Sequence, residues 1–102
     1  MVRGTYYPNA DGTVRSRIIR KYCRVGSRIE VVPEPGNTRT PSEVAVLLVV
    51  RRFFIPRRFK IGYLKETTAA RFVSGPKRSG KVVKLHAPFG DNSPSVTIQI
   101  FV

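Results

Sequence analysis

The chain has 102 residues and a formal net charge of +13, from 19 Lys and Arg against 6 Asp and Glu. Its single cysteine excludes an intrachain disulfide and a cysteine-based metal site. The basic residues alternate with Ile, Val, Phe and Tyr, so we expect one folded domain over residues 1–102 with a positive surface rather than a disordered tail. Such a surface attracts polyanions, nucleic acid first and an anionic membrane second.

The first half of the chain predicts two strands that flank a helix, followed by a central strand. Aromatic side chains at 4–7 fit the end of a half-buried strand. Apolar residues at helical spacing predict a short amphipathic helix at 16–23. Alternation predicts a strand at 28–32, and a continuous apolar run predicts a central strand at 43–50. The segment between these last two strands is too long and too proline-rich for a tight hairpin.

The second half predicts a hairpin, a helix and a final strand pair. The hairpin covers 51–64, with its tip around Pro56, and the helix covers 66–73. The last two strands are expected at 81–87 and 95–102. In total the chain predicts a mainly β fold of about six strands with two short helices. Short antiparallel strands in this number favour a small β-barrel of OB-like or SH3-like type.

Catalytic patterns are poorly represented. His86 is the only histidine, lies in a strand pattern that fits either face, and is expected to have a structural role. Cys23 is expected to be a small core residue. The segment 75–81, GPKRSGK, lacks the spacing and the strand-then-helix context of a phosphate loop and is more typical of a basic turn. Since the acidic residues are scattered, we expect no enzyme, no metal site and no cofactor.

Three basic clusters are the strongest functional signal, at 15–28, 51–60 and 77–84. One such run alone would indicate solubility, but three with few compensating acids favour a polyanion as partner. Aromatic residues beside the cations suit single strands, because every base offers a face for stacking. Phe53, Phe54 and Phe59 are more typical of packing residues, whereas alternation should turn one ring of Tyr6 and Tyr7 outward.

Several short segments occur in a distinctive order over about residues 3–74. They are Gly4-Thr5-Tyr6-Tyr7, SRIIRKY, the Val25-Gly26 turn, Val32-Pro33-Glu34-Pro35-Gly36-Asn37, Glu43-Val44-Ala45-Val46, Lys60-Ile61-Gly62-Tyr63-Leu64 and Ala69-Ala70. In this order they resemble the HIRAN domain, a small OB-like β-barrel. That module occurs alone in bacteria and phages, or fused to SWI/SNF-type remodelling ATPases, nucleases and other DNA-processing enzymes.

The resemblance implies binding to DNA, in the best-understood members to the 3′-OH end of a single strand. In the family, an aromatic residue of the first strand and a Tyr-Asp pair in the loop after the EPxN segment hold the terminal nucleotide. Tyr6 or Tyr7 matches the first element. At the second, this chain has Arg39 and Thr40. Arg39 can stack on a base or bind phosphate, but Thr40 supplies no carboxylate to accept from a terminal hydroxyl. Asn37 is expected mainly to shape the loop.

We therefore predict a non-catalytic DNA-binding module of DNA repair or processing, which recognises single strands or ends and works alone or with a larger DNA-processing enzyme. Two alternatives remain open: an RNA-binding or ribosome-associated protein, and an adaptor for an acidic protein partner. No membrane partner is expected, and we expect an intracellular location, in the cytoplasm or nucleoid of a bacterium or the nucleus of a eukaryote. The predicted nucleic-acid-binding residues are Tyr6, Tyr7, Asn37, Arg39, Thr40, Arg51, Arg52, Arg57, Arg58, Tyr63 and Lys65.

Overall fold

The protein is mainly β, as the sequence predicts. The computed structural model describes residues 2–3, 5, 9, 12–33, 44–52, 55–64, 66–69, 71–72, 76–86 and 95–101. Its elements in chain order are β1 (Val2–Arg3), α1 (Arg15–Tyr22), β2 (Arg28–Pro33), β3 (Val44–Arg52), β4 (Ile55–Leu64), α2 (Glu66–Ala69), β5 (Arg78–His86) and β6 (Ser95–Ile100).

The described strands form one antiparallel sheet in the order β1-β4-β3-β2-β5-β6. Five of them have six residues or more, and β1 contributes a two-residue pairing to the end of β4. In a flat sheet the outermost of six strands would lie about 24 Å apart. Here some Cα atoms of β1 and β6 lie within 8 Å of each other, so the sheet is strongly curved.

One face of the sheet, here called the inner face, forms the core. Ile29, Leu48 and Val82 on neighbouring strands are fully buried there. Helix α1 packs against β4 and adds its apolar side to this core, with Ile19 and Cys23 fully buried. Other core residues are Val31, Val44, Val46, Ile61 and Val96. The prediction that Cys23 is a core residue is confirmed.

Two β-bulges change which side chains share a face of the sheet. Val46 lies opposite Gly62 and Leu47 opposite Lys60, so Ile61 is an extra residue on β4. Likewise Val82 lies opposite Ile98 and Lys84 opposite Thr97, which makes Val83 an extra residue on β5. An extra residue shifts the alternation of the strand by one position, so side chains beyond it change faces.

The hairpin prediction was wrong at its tip. Strand β3 continues to Arg52 and β4 begins at Ile55, so Pro56 lies within β4, opposite Arg51. Opposed residues in an antiparallel pair alternate between hydrogen-bonded and non-hydrogen-bonded positions. Within the described ranges, the other side of β4 pairs with β1 at Tyr63 and Leu64. Proline is tolerated in a strand where its missing N–H does not belong to the hydrogen-bonded ladder.

Two further boundaries differ from the sequence prediction. Strand β5 starts at Arg78 rather than 81, so the basic segment that looked like a turn belongs largely to a strand. Helix α2 ends at Ala69 rather than 73, and residues 71–72 form a turn. The earlier start of β5 places Arg78 in the sheet. Its Cζ atom lies 5.8 Å from the ring centroid of Phe72, which belongs to the turn after α2.

Candidate nucleic-acid interface

The face of the sheet opposite the core, here called the outer face, carries a line of cations across the strands. Arg28 on β2 lies opposite Lys81 on β5, and Lys81 lies opposite Gln99 on β6. On the other side of β2, Ile29 pairs with Leu48 on β3, so the next residue of β3, Val49, is level with Arg28. Val49 in turn lies opposite Arg58 on β4, which brings Arg58 into line with Arg28. We call Arg58, Arg28 and Lys81 the basic row; all three are exposed.

Glu30 is the acidic residue that the described part of the chain places on this face. It is 3% exposed, and its carboxylate accepts a hydrogen bond from Nε of Arg58 and lies 3.8 Å from Nζ of Lys77. The hydrogen bond from Arg58 lowers the pKa of Glu30 against the opposing effect of burial, and the same contact raises the pKa of Arg58. Glu30 therefore holds Arg58 in place and stays ionised at neutral pH.

Tyr63 lies at one end of the outer face, with two cations against its ring. The Cζ atom of Arg15 is 5.2 Å from the ring centroid and Nζ of Lys60 is 5.1 Å from it. Lys60 also donates a hydrogen bond of 3.1 Å to the Tyr63 hydroxyl. Both side chains lie on the outer face because the bulge at Ile61 restores the phase between them. Tyr63 is half-buried, so part of its surface reaches solvent.

Asn9 connects the start of α1 to strand β4. Its Nδ2 donates to the carbonyl oxygen of Lys60 at 2.9 Å, and its Oδ1 accepts from Nε of Arg15 at 2.8 Å. Arg15 is buried, and its side chain is thereby fixed beside Tyr63. Arg15 stands at the first position of α1, where the helix dipole disfavours a cation, and its hydrogen bond to Asn9 offsets part of that cost.

The arginines predicted from the β3–β4 hairpin do not all share one face. Arg51 and Arg58 share the outer face, whereas Arg57 lies opposite Val50 and belongs to the other face at the hairpin end. Arg51, Arg57 and Arg58 are exposed. Arg52 pairs with Ile55 in the register of the two strands. Of the three arginines with described side chains, two therefore lie on the outer face.

Several predicted binding residues cannot be compared with this arrangement. Tyr6, Tyr7, Asn37, Arg39, Thr40 and Lys65 lie outside the described residues. Of the eleven predicted residues, the structure brings together Arg51, Arg58 and Tyr63 on one face.

The structure adds Arg28, Lys60, Lys81 and Lys84 to this face, together with His86. All belonged to the sequence clusters or strand patterns, but the alternation of the sequence did not show that they share a face. On β5 the extra residue Val83 turns Lys84 and His86 to the side of Lys81, and Leu85 to the core. A bulge of this kind has no short sequence signal, so only the pairing with β6 shows it.

Two other classes of site lack support in the described residues. Within the ranges that the structure describes, no three His, Cys, Asp or Glu side chains are grouped so that they could hold a metal ion. Among the helices described, none is long and apolar enough to cross a membrane. The burial of Cys23 raises the pKa of its thiol to about 11, which leaves it protonated and poorly nucleophilic at neutral pH.

Comparison of the chain with family models, with curated proteins and with solved structures found no match.

Proposed function

We propose that this protein is a non-catalytic DNA-binding module that holds a single strand, or the end of one, on the outer face of its sheet. The observation that carries the proposal is the basic row on the same face as Tyr63, with Glu30 buried beneath it. Basic grooves with aromatic side chains are the usual means of binding single strands. DNA repair or processing is the setting that we propose, in which the module acts alone or with a larger enzyme.

The fold that we propose for this task is an OB-like barrel of six strands. The approach of β1 to β6 supports it, because the two ends of the sheet come together as they would in a closing barrel. OB folds bind oligonucleotides on an exposed face of the sheet and in adjacent loops. Here β2 and β3 lie at the centre of the sheet, and β2 contributes Arg28 to the outer face.

The basic row is suited to the phosphates of one strand. Arg58 and Lys81 stand three strand spacings apart, about 14 Å along the row. Arg28 lies between them, next to Lys81. Val49 and Leu47 form a partly exposed apolar floor beside these cations, on which sugars and bases can pack. At the end of the face, Tyr63 offers a fixed ring and hydroxyl beside two further cations.

End recognition is a separate part of the proposal and depends on the segment that contains Asn37, Arg39 and Thr40. The resemblance implies a contact to a terminal 3′-OH in the family, and this chain lacks the carboxylate that would accept from that hydroxyl. We propose that Arg39 retains a phosphate or base contact, and that the strand end recognised by this protein therefore differs from that of the family.

A salt-titrated binding panel tests both parts. Fluorescence anisotropy would compare labelled single-stranded DNA, duplex DNA, RNA of the same sequence, and single strands that end in 3′-OH or 3′-phosphate. We expect tightest binding to single-stranded DNA, with an affinity that falls steeply as salt rises. An affinity that is unchanged between low and moderate salt would contradict nucleic-acid binding.

The same panel separates the alternatives. Tighter binding to RNA at every salt concentration would favour the RNA-binding alternative. Equal affinities for the two 3′ ends would refute end recognition without affecting strand binding. An acidic protein partner that competitor nucleic acid does not displace would favour the adaptor alternative.

A further inference from the structure

A pocket on the outer face lies beyond the basic row, between β5 and β6. It has a volume of about 360 Å³ and is lined by Lys84, His86, Ser95 and Thr97. These residues form two facing pairs, Lys84 opposite Thr97 and His86 opposite Ser95. The volume is within the usual range of small-ligand sites, roughly 300–1,000 Å³. It is a partly open groove rather than an enclosed cavity, and a phosphate group has room there.

Each of the described lining side chains carries a hydrogen-bond donor, and together they are not a metal-binding set. Lys84 brings an ammonium with three N–H donors, and Ser95 and Thr97 each bring a hydroxyl. The imidazole of His86 adds a ring nitrogen that can donate. None of the four described lining residues is acidic, so their combined chemistry favours an anion with several acceptor oxygens, as a phosphate group has.

The pocket depends on the bulge at Val83. In a regular strand, the alternation that places Lys81 on the outer face would place Val83 and Leu85 there too, and would turn Lys84 and His86 inward. The extra residue reverses this, so that Leu85 is opposite the buried Val96 while Lys84 and His86 face outward. Bulges often occur beside functional sites, where they redirect a side chain.

The pocket also continues the basic row. Lys81 and Lys84 lie on the same face of β5, and because Val83 is an extra residue they pair with positions only two residues, or about 7 Å, apart along β6. On β6, Gln99 and Thr97 are the matching neighbours on that face. A strand that follows Arg58, Arg28 and Lys81 would reach the pocket with its next phosphate.

We infer that the pocket formed by Lys84, His86, Ser95 and Thr97 is a phosphate-binding site. The phosphate can come from a nucleic-acid strand or from a free nucleotide; binding of a strand phosphate rests on the proposed function, whereas binding of the phosphate group itself does not. Lys84 supplies the charge, and the two hydroxyls and the imidazole supply directed hydrogen bonds.

The test follows backbone amide signals by NMR as inorganic phosphate, and in a second arm a 5′-mononucleotide, is added to the full chain. We expect saturable shifts at residues 84–86 and 95–97, with smaller changes elsewhere. Lys84→Gln and Thr97→Val should each weaken phosphate binding at least fivefold. The matched control is Lys21→Gln, which removes the same charge from the exposed side of α1 and should leave phosphate binding unchanged. Amide spectra of each variant establish that it is folded.

A third arm measures a single-stranded oligonucleotide. If a strand phosphate occupies the pocket, Lys84→Gln should reduce the slope of log affinity against log salt by about 0.7. The inference is overturned if phosphate shifts spread evenly over the basic surface, or if Lys21→Gln weakens phosphate binding as much as Lys84→Gln does. Saturable phosphate binding in the pocket without any oligonucleotide binding would support the pocket and refute the proposed function. Oligonucleotide binding without any response of the pocket to phosphate would refute the pocket and support the proposed function.

Discussion

The double variant Arg28→Gln/Lys81→Gln is the sharpest test of the basic row. The two residues lie opposite each other on β2 and β5, and both are exposed. Removing their charges leaves Arg58 as the one remaining cation of the basic row and leaves the inner face untouched. Exposed substitutions of this kind usually change the free energy of unfolding by no more than about 0.5 kcal/mol each, so a loss of binding would not reflect unfolding.

The expected loss follows from counterion release. Each phosphate contact of a single strand contributes about 0.7 to the slope of log affinity against log salt. Loss of two contacts should reduce that slope by about 1.4. If the contribution vanishes near 1 M salt, the affinity at about 0.1 M falls roughly 25-fold, which is equivalent to about 1.9 kcal/mol of binding free energy.

The measurement is fluorescence anisotropy with a labelled single strand at several salt concentrations, together with a urea unfolding curve for each protein. The matched control is Arg17→Gln/Lys21→Gln, which removes two exposed charges from α1. That control should lose only the long-range attraction, a few-fold in affinity, with little change in slope. Equal losses in affinity and slope for the two double variants would refute the basic row as the binding surface, because the net charge alone would then explain the binding.

Three further predictions test the structure around the site. Glu30→Gln should raise the affinity for a single strand, because it releases Arg58 and Lys77. It should also lower the free energy of unfolding by about 1–2 kcal/mol, since the substitution removes a buried carboxylate that is paired with a half-exposed arginine. Because the hydrogen bond from Arg58 lowers the pKa of Glu30, the contribution of Glu30 to stability is present above about pH 4.5 and is lost as the pH falls through the lowered value. Acid unfolding curves of the wild type and of Glu30→Gln should therefore converge as the pH falls below 4.5. Parallel curves would contradict the ion pair. Gly80→Ala should cost more than about 2 kcal/mol by urea unfolding, because the added Cβ would lie 2.2 Å from the carbonyl oxygen of Gln99; an effect as small as that of Ser79→Ala would contradict the close approach of β5 and β6. The thiol of Cys23 should react with a disulfide reagent at pH 8 only after denaturation, since it is fully buried with a pKa of about 11; rapid reaction of the native protein would show that α1 does not cover it.

The sequence predicted elements better than it predicted faces. Helix α1 was expected at 16–23 and lies at Arg15–Tyr22, because its apolar residues recur at helical spacing and this signal is local. The strands at 28–32 and 43–50 were likewise close to β2 and β3. Pro56 misled the hairpin prediction, since proline usually marks a turn but is also tolerated on an unpaired strand edge.

The arrangement of the site depends on contacts that no local pattern contains. Glu30 and Arg58 are 28 residues apart in the chain and meet only because β2 and β4 both flank β3. The faces of Tyr63 and Lys84 depend on two bulges, each of which shifts the two-residue period by one position. A strict alternation applied to β5 would have placed Lys84 and His86 in the core, where neither is found.

The placement of Arg28 opposite Lys81 is more typical of the binding surface that we propose than of a merely soluble surface. Like charges directly opposite each other on neighbouring strands destabilise a sheet, and a surface selected for solubility alone usually mixes both signs. Glu30, the acidic residue that the structure describes on this face, is buried and paired with Arg58 and Lys77. Its charge also attracts Arg28, but it does not stand between Arg28 and Lys81 in the register of the strands. Local rules of sequence and structure tend to be broken at functional sites. A phosphate bound between Arg28 and Lys81 would convert their repulsion into attraction, which gives this cross-strand pair a physical reason that folding alone does not supply.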